Sequence, residues 1–107
     1  MIEKKIELEY YKQIFTDWLT SHKDSKARAI IRVQLDRVSM GIGDIKYIDC
    51  GIWEMRVDYG PGYRVYFGKY NKNKMVILLG GDKSTQKKDI KKAILYWNDY
   101  LGKRGEI

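Results

Sequence analysis

Two short stretches place carboxylate and guanidinium groups at alternating positions, Glu54-Met55-Arg56 and Arg64-Val65-Tyr66. If they are antiparallel strands joined through Gly60-Pro61-Gly62, then Glu54, Arg56, Arg64 and Tyr66 share one face, and Trp53, Met55, Val57, Tyr63, Val65 and Phe67 share the other. Two guanidiniums beside a carboxylate form a preorganised seat for a phosphate, because each guanidinium offers its oxygens a planar fork of donors. The competing reading of the same pattern is a cross-strand Arg–Glu salt bridge on a solvated face, worth at most about 1 kcal/mol.

A second segment, Gly80-Gly81-Asp82-Lys83-Ser84-Thr85-Gln86-Lys87-Lys88-Asp89, leaves an apolar strand and opens a helix. Its backbone N–H groups and the positive end of the helix dipole then face whatever lies beyond the strand. Lys83, Lys87 and Lys88 crowd that end, where cations oppose the dipole and an anion would offset the cost. Solvated, screened lysines are the alternative, and the spacing is not that of a Walker loop. His22, the single histidine, falls between two helices and reads as a surface residue, which disfavours His-based acid/base chemistry. Cys50 has no His beside it and reads as a strand-end residue rather than a nucleophile. Trp18, Trp53 and Trp97 fall on apolar stripes and read as core.

The elements that must hold these groups follow from period. Leu8, Tyr11, Phe15, Trp18 and Leu19 recur at helical spacing, as do Ala27, Ile30, Ile31, Gln34, Leu35 and Val38, giving a helical hairpin. Asp24 or Ser25 suits the N-cap of the second helix, and Gly41 its end. From Asp44 the period is two through Val57, returns from Tyr63 to Phe67, and turns again at Asn71-Lys72-Asn73 into Met75-Val76-Ile77-Leu78-Leu79, a strand apolar enough to be covered on both faces. A last helix starts near Ser84 or Thr85, buries Ile90, Ala93, Ile94, Trp97 and Leu101, and stops at Gly102. With a short first strand at residues 2–7, the expectation is an α+β domain with a mostly antiparallel sheet.

The chain has 107 residues, 44% hydrophobic and 33% charged, enough for one core, so residues 1–107 read as a single domain. Lys and Arg number 21 against 14 Asp and Glu, a formal charge of +7 that makes a polyanion such as nucleic acid the leading partner class. One cysteine and no His/Cys cluster exclude an internal disulfide and zinc spacing, so no metal or other cofactor is expected. The longest apolar run, Met75 to Leu79, is too short to span a membrane, and the start lacks a signal peptide's apolar stretch. The expected location is cytoplasmic.

Phe15-x-x-Trp18-Leu19, Gly43-Asp44-x-Lys46, Glu54-Met55-Arg56, Gly60-Pro61-Gly62-Tyr63-Arg64-Val65-Tyr66-Phe67 and Leu78-Leu79-Gly80-Gly81-Asp82-Lys83-Ser84-Thr85-Gln86-x-x-Asp89-Ile90 together resemble the "addiction module killer protein" group of the RelE/HigB/ParE superfamily, toxins of type II toxin–antitoxin systems. The resemblance runs from about residue 8 to residue 97. It implies a RelE-like domain that cuts mRNA, usually on the ribosome, and is neutralised by a cognate helix-turn-helix antitoxin through which alone it oligomerises. The family's cleft residues carried over residue by residue fall on Arg64, Lys83, Arg56 and Lys46. Ile90 stands where several relatives have an aromatic or His acid/base, and a ParE-like toxin that binds gyrase is the alternative. Cleavage would proceed by attack of the ribose 2′-OH on phosphorus. Of the available carboxylates, Glu54 and Asp44, the expected proton acceptor is Glu54, with Arg56 and Arg64 on the phosphate and Lys83 at the leaving oxygen. Tyr66, Gln86 and Lys87, with Lys46, are the expected RNA contacts.

Overall fold

The computed structural model describes residues 5–105. Along these the chain forms β1 (Glu7–Tyr10), α1 (Ile14–Ser21), α2 (Ser25–Ser39), β2 (Ile45–Asp49), β3 (Ile52–Val57), β4 (Tyr63–Asn71), β5 (Lys74–Asp82), a 3₁₀ turn (Lys83–Thr85) and α3 (Gln86–Lys103). The strands make one five-stranded sheet in the order β1-β5-β4-β3-β2. β1 runs parallel to β5, and every other pairing is antiparallel. The α+β class follows, with helices on both faces of a mixed sheet.

One face buries Met55, Val57, Tyr63, Val65, Phe67, Met75 and Ile77 against Phe15 and Leu19 of α1 and Ala27, Ile31, Leu35 and Val38 of α2. The other buries Ile52, Tyr66, Val76, Leu78 and Leu79 against Ala93, Trp97 and Tyr100 of α3. Complete burial of a large apolar side chain stabilises by about 1.5–3 kcal/mol, so these two layers carry most of the fold. Asp24 caps α2, its carboxylate accepting from the N–H groups of Lys26 and Ala27 at 3.0 and 3.2 Å. Gly41, at φ +80°, takes the left-handed conformation just beyond α2.

Three boundaries differ from expectation. The first strand spans Glu7–Tyr10, and of the expected span residues 2–4 lie outside the described residues. Leu8 is thus a strand residue and Tyr11 a turn residue, because Lys12 at φ 53° breaks the backbone before α1 can start. Gly102 lies inside α3, which continues to Lys103. His22 is half-buried rather than a surface residue, its ring 4.6 Å from that of Trp18 and 5.0 Å from that of Tyr63.

The sheet carries one irregularity that decides what the site looks like. Tyr66 pairs with Leu79 but Phe67 pairs with Ile77, leaving Leu78 as an extra residue in β5. The bulge puts both Leu78 and Leu79 on the α3 side and sets the facing of all that follows. Gly80 then faces α1, where an added Cβ would overlap the Trp18 ring, and Gly81 faces α3, where it would overlap the Asp89 carboxylate. The two glycines are therefore strand residues that admit a close neighbour on each face, not a loop around a phosphate.

Candidate functional site

Two rows of residues cross the sheet on the α3 side. Lys46 is opposite Glu54, Glu54 opposite Tyr66 and Tyr66 opposite Leu79. In the adjacent row Arg56 is opposite Arg64, and Arg64 opposite Gly81. The expected sharing of one face by Glu54, Arg56, Arg64 and Tyr66 is observed, but that face is not uniformly open, because α3 starts over it.

α3 divides the cluster into a buried and an open part. Glu54 is 2% exposed and Tyr66 fully buried. Gln86, in the first turn of α3, donates from Nε2 to Glu54 Oε2 at 3.0 Å, and the Arg64 Nε lies 3.4 Å from the same oxygen. Arg64 Nη1 also donates to the Gly62 carbonyl at 3.1 Å. A guanidinium facing another across a strand pair is destabilising. Here the buried Glu54 carboxylate offsets the charge of Arg64, while Asp44, 3.7 Å from Arg56 Nη2, faces the other guanidinium in the open.

Lys83 enters from the end of β5. The tight turn at Gly62, φ +79°, brings its root beside Arg64: a Cβ built on Gly62 would lie 3.6 Å from Arg64 Nη1 and 4.0 Å from Lys83 Cβ. Asp82 stands in the same corner, its carboxylate accepting from the Ser84 N–H at 2.8 Å and the Ser84 hydroxyl at 2.5 Å. Those bonds, above all the Ser84 hydroxyl, hold the Asp82 carboxyl below the usual carboxylate range, with a further contribution from the Arg64 charge. Asp82 therefore already supplies the anion that the expectation from the crowded lysines assigned to a ligand at this N–H cluster.

Behind Arg64 sits a polar pocket that sequence reasoning left without a role. Asp89, 6% exposed, lies over Gly81 and accepts from the Thr85 hydroxyl at 2.5 Å. The Tyr66 hydroxyl is buried with no hydrogen-bond partner among the described residues. Burial pushes its pKa well up, and the carboxylates of Glu54 and Asp89 push it further against the opposing charge of Arg64, so the phenol stays protonated. The signal that would have found Asp89 is the Gly81 opposite Arg64: a strand glycine facing a helix marks a close approach.

The expected roles divide accordingly. Arg56 and Arg64 are cross-strand neighbours and Lys83 starts beside Arg64, while the Arg56 guanidinium meets Asp44 at the edge of the α2 groove; the exposed Lys46 is one row away. Glu54 as proton acceptor is corrected, because it is buried under α3 and engaged with Gln86 and Arg64, out of reach of a ribose. Tyr66 as an RNA contact is corrected for the same reason. Gln86 is half-buried and spends its amide on Glu54, tying α3 to the sheet. Lys87 is exposed on α3, facing away from the sheet. A groove of about 560 Å³ opens between α2 and β3, with Ile30, Val33, Val38 and Met55 in its walls and Arg37, Asp44 and Arg56 also lining it. Among the described residues no group of three or more His, Cys, Asp or Glu side chains is placed to hold a metal ion, and no helix is long and apolar enough to cross a membrane.

No family model matches the chain. An uncharacterized protein of Haemophilus influenzae is 48% identical over 82 residues, covering 76% of this chain and 83% of that one. The chain belongs to the same family as that protein.

Proposed function

We propose that this chain is the toxin of a type II toxin–antitoxin system, with a RelE-like domain, and that it acts as a ribosome-dependent mRNA endonuclease. The observation that carries the reading is the pairing of Arg56 with Arg64 across β3 and β4 and the placing of Lys83 beside Arg64, which the buried Glu54 fixes from behind. A formal charge of +7 agrees with a polyanionic substrate.

In this reading Arg64 and Arg56 hold the non-bridging oxygens of the scissile phosphate. Their charge-assisted bonds strengthen as the phosphorane gains its second negative charge, an effect worth roughly 2.7–4 kcal/mol per donor in comparable sites. Lys83 sits beside Arg64 and donates a proton to the departing 5′-oxygen. The exposed Asp44 carboxylate, next to Arg56, takes the 2′-OH proton in place of the buried Glu54. An ordinary exposed carboxylate is a weak base for a hydroxyl, so the intrinsic rate is low. A ribosome that aligns the 2′-OH with the phosphate supplies several kcal/mol by orientation. The activity belongs to the cytoplasm, where translation occurs, and is restrained by a cognate helix-turn-helix antitoxin, through which alone the toxin oligomerises.

The test is controlled expression in bacteria. Wild type arrests growth and fragments transcripts within minutes, whereas folded Arg64→Ala and Lys83→Ala do neither. Arrest with intact transcripts and DNA damage would move the reading to a gyrase-binding toxin, and full toxicity of both variants would remove the cleft assignment.

A further inference from the structure

α3 carries a second cationic surface that the cleft does not use. Its sheet-facing positions are Asp89, Ala93, Trp97 and Tyr100, all buried. Lys87, Lys88, Lys91, Lys92 and Leu95 occupy the opposite side and are exposed. At 100° per residue Lys87 and Lys91 form one column along the helix and Lys88 and Lys92 a parallel one, each pair one turn apart.

Three features mark this face. Among the described residues Lys87, Lys88, Lys91 and Lys92 form no ion pair. Lys23, Lys46, Lys72 and Lys83 form none either, but on α3 four such lysines fall within two helical turns. Between Gln86 and Asn98 the one carboxylate is Asp89, and it is buried; Lys88 and Lys92 border a recess shared with Asp82 and Asp89, while Lys87 and Lys91 have no carboxylate beside them on the helix. Lys87 with Lys91 and Lys88 with Lys92 are like-charge pairs at i, i+4, an arrangement that destabilises a helix by roughly 0.2–0.5 kcal/mol each.

The chemistry of the neighbours selects the ligand. Single-stranded nucleic acid is gripped by aromatic rings on which bases stack, and base edges are read by Arg, Asn or Gln. The exposed residues from Lys87 to Leu95 include neither aromatic nor guanidinium side chains. Lysine ammoniums in two columns are point charges for a repeating array of phosphates, in which backbone contacts fix position without reading sequence.

We propose that the outer face of α3 is a docking surface for the phosphate backbone of base-paired RNA, separate from the cleft. It serves to anchor the protein on structured RNA independently of sequence, and it does not depend on the cleavage reading, because binding to an RNA that is not cut reports it.

The experiment is fluorescence anisotropy of the full chain with a labelled 16-base-pair RNA duplex at 50 to 300 mM salt. A variant with Lys87, Lys88, Lys91 and Lys92 all changed to Gln is compared with one in which Lys12, Lys23, Lys26 and Lys72, exposed elsewhere, are changed to Gln. The proposal expects the first variant to bind about tenfold or more weakly at 100 mM salt and to lose up to about 3.6 units of salt slope, at roughly 0.9 per phosphate contact. The second variant, of equal net charge, keeps the wild-type slope within about one unit. Equal losses in both variants, or none in the first, would overturn the proposal. So would equal lysine-dependent binding of the single strand, or displacement of the duplex by an oligoglutamate peptide of matching charge, which would reassign the face to an acidic protein partner.

Discussion

Glu54 is the residue on which the two parts of the site meet, and its removal gives a prediction with a magnitude. Glu54→Ala deletes a carboxylate that is 2% exposed, takes the acceptor from Gln86 Nε2 and leaves Arg64, whose side chain is 12% exposed, without its counter-charge. Removing one partner of a buried pair costs about 3–5 kcal/mol, against the 5–15 kcal/mol that holds a domain of this size. At roughly 4 °C per kcal/mol the midpoint falls by about 12–20 °C. Urea unfolding at neutral pH measures the loss directly. Replacing both members with apolar side chains, Glu54→Met with Arg64→Met, recovers part of it, because no charge is then left stranded. A loss below about 1 kcal/mol in Glu54→Ala, or strictly additive single effects in the double variant, would refute the placing of this pair at the centre of the site.

Gly81→Ala drives a methyl into the Asp89 carboxylate and so lifts the start of α3, whereas Gly80→Ala meets the Trp18 ring; both lower the thermal midpoint, and only Gly81→Ala raises amide exchange in the first turn of α3. The Tyr11 hydroxyl donates to Asp99 at 2.5 Å, and burial together with that carboxylate pushes its pKa up to about 12. The folded form thus favours neutral Tyr11, a contribution fully present below pH 10 and lost as pH rises from 10 to 12, so that urea midpoints across that range fall more steeply for the wild type than for Tyr11→Phe. Arg56→Ala exposes no buried charge, since its partner Asp44 is itself 81% exposed, so it leaves stability within about 0.5 kcal/mol while lowering the cleavage rate at least tenfold.

Much of this architecture was legible because local chemistry and tertiary demand agreed. Asp24 caps α2, Gly60-Pro61-Gly62 turns the β3–β4 hairpin, and simple alternation puts Arg56 opposite Arg64. The failures each have a physical source. Leu8 and Tyr11 fall in helical register with Phe15 by coincidence of spacing, and only the positive φ at Lys12 separates strand from helix. The bulge at Leu78 was hidden in an unbroken apolar run, where a shift of face changes no residue's hydrophobicity. Without it the facings of Gly80 and Gly81 could not be assigned, nor could Asp89 be placed over Arg64's row. The burial of Glu54 was equally hidden, because whether a polar strand face meets solvent or a helix depends on where α3 begins, and a Gln86–Glu54 bond across 32 residues has no local signature.

The central claim is that Arg56, Arg64 and Lys83 hold one phosphodiester for attack by its neighbouring 2′-OH. It is tested most directly by adding purified protein to ribosomes programmed with an mRNA carrying a single 2′-deoxy nucleotide at the mapped cut. The account predicts cleavage of the all-ribose message to a 2′,3′-cyclic phosphate and a 5′-OH, abolished by that one substitution and by Arg64→Ala. Cleavage that persists at the deoxy position would contradict it, as would wild-type activity from Arg64→Ala.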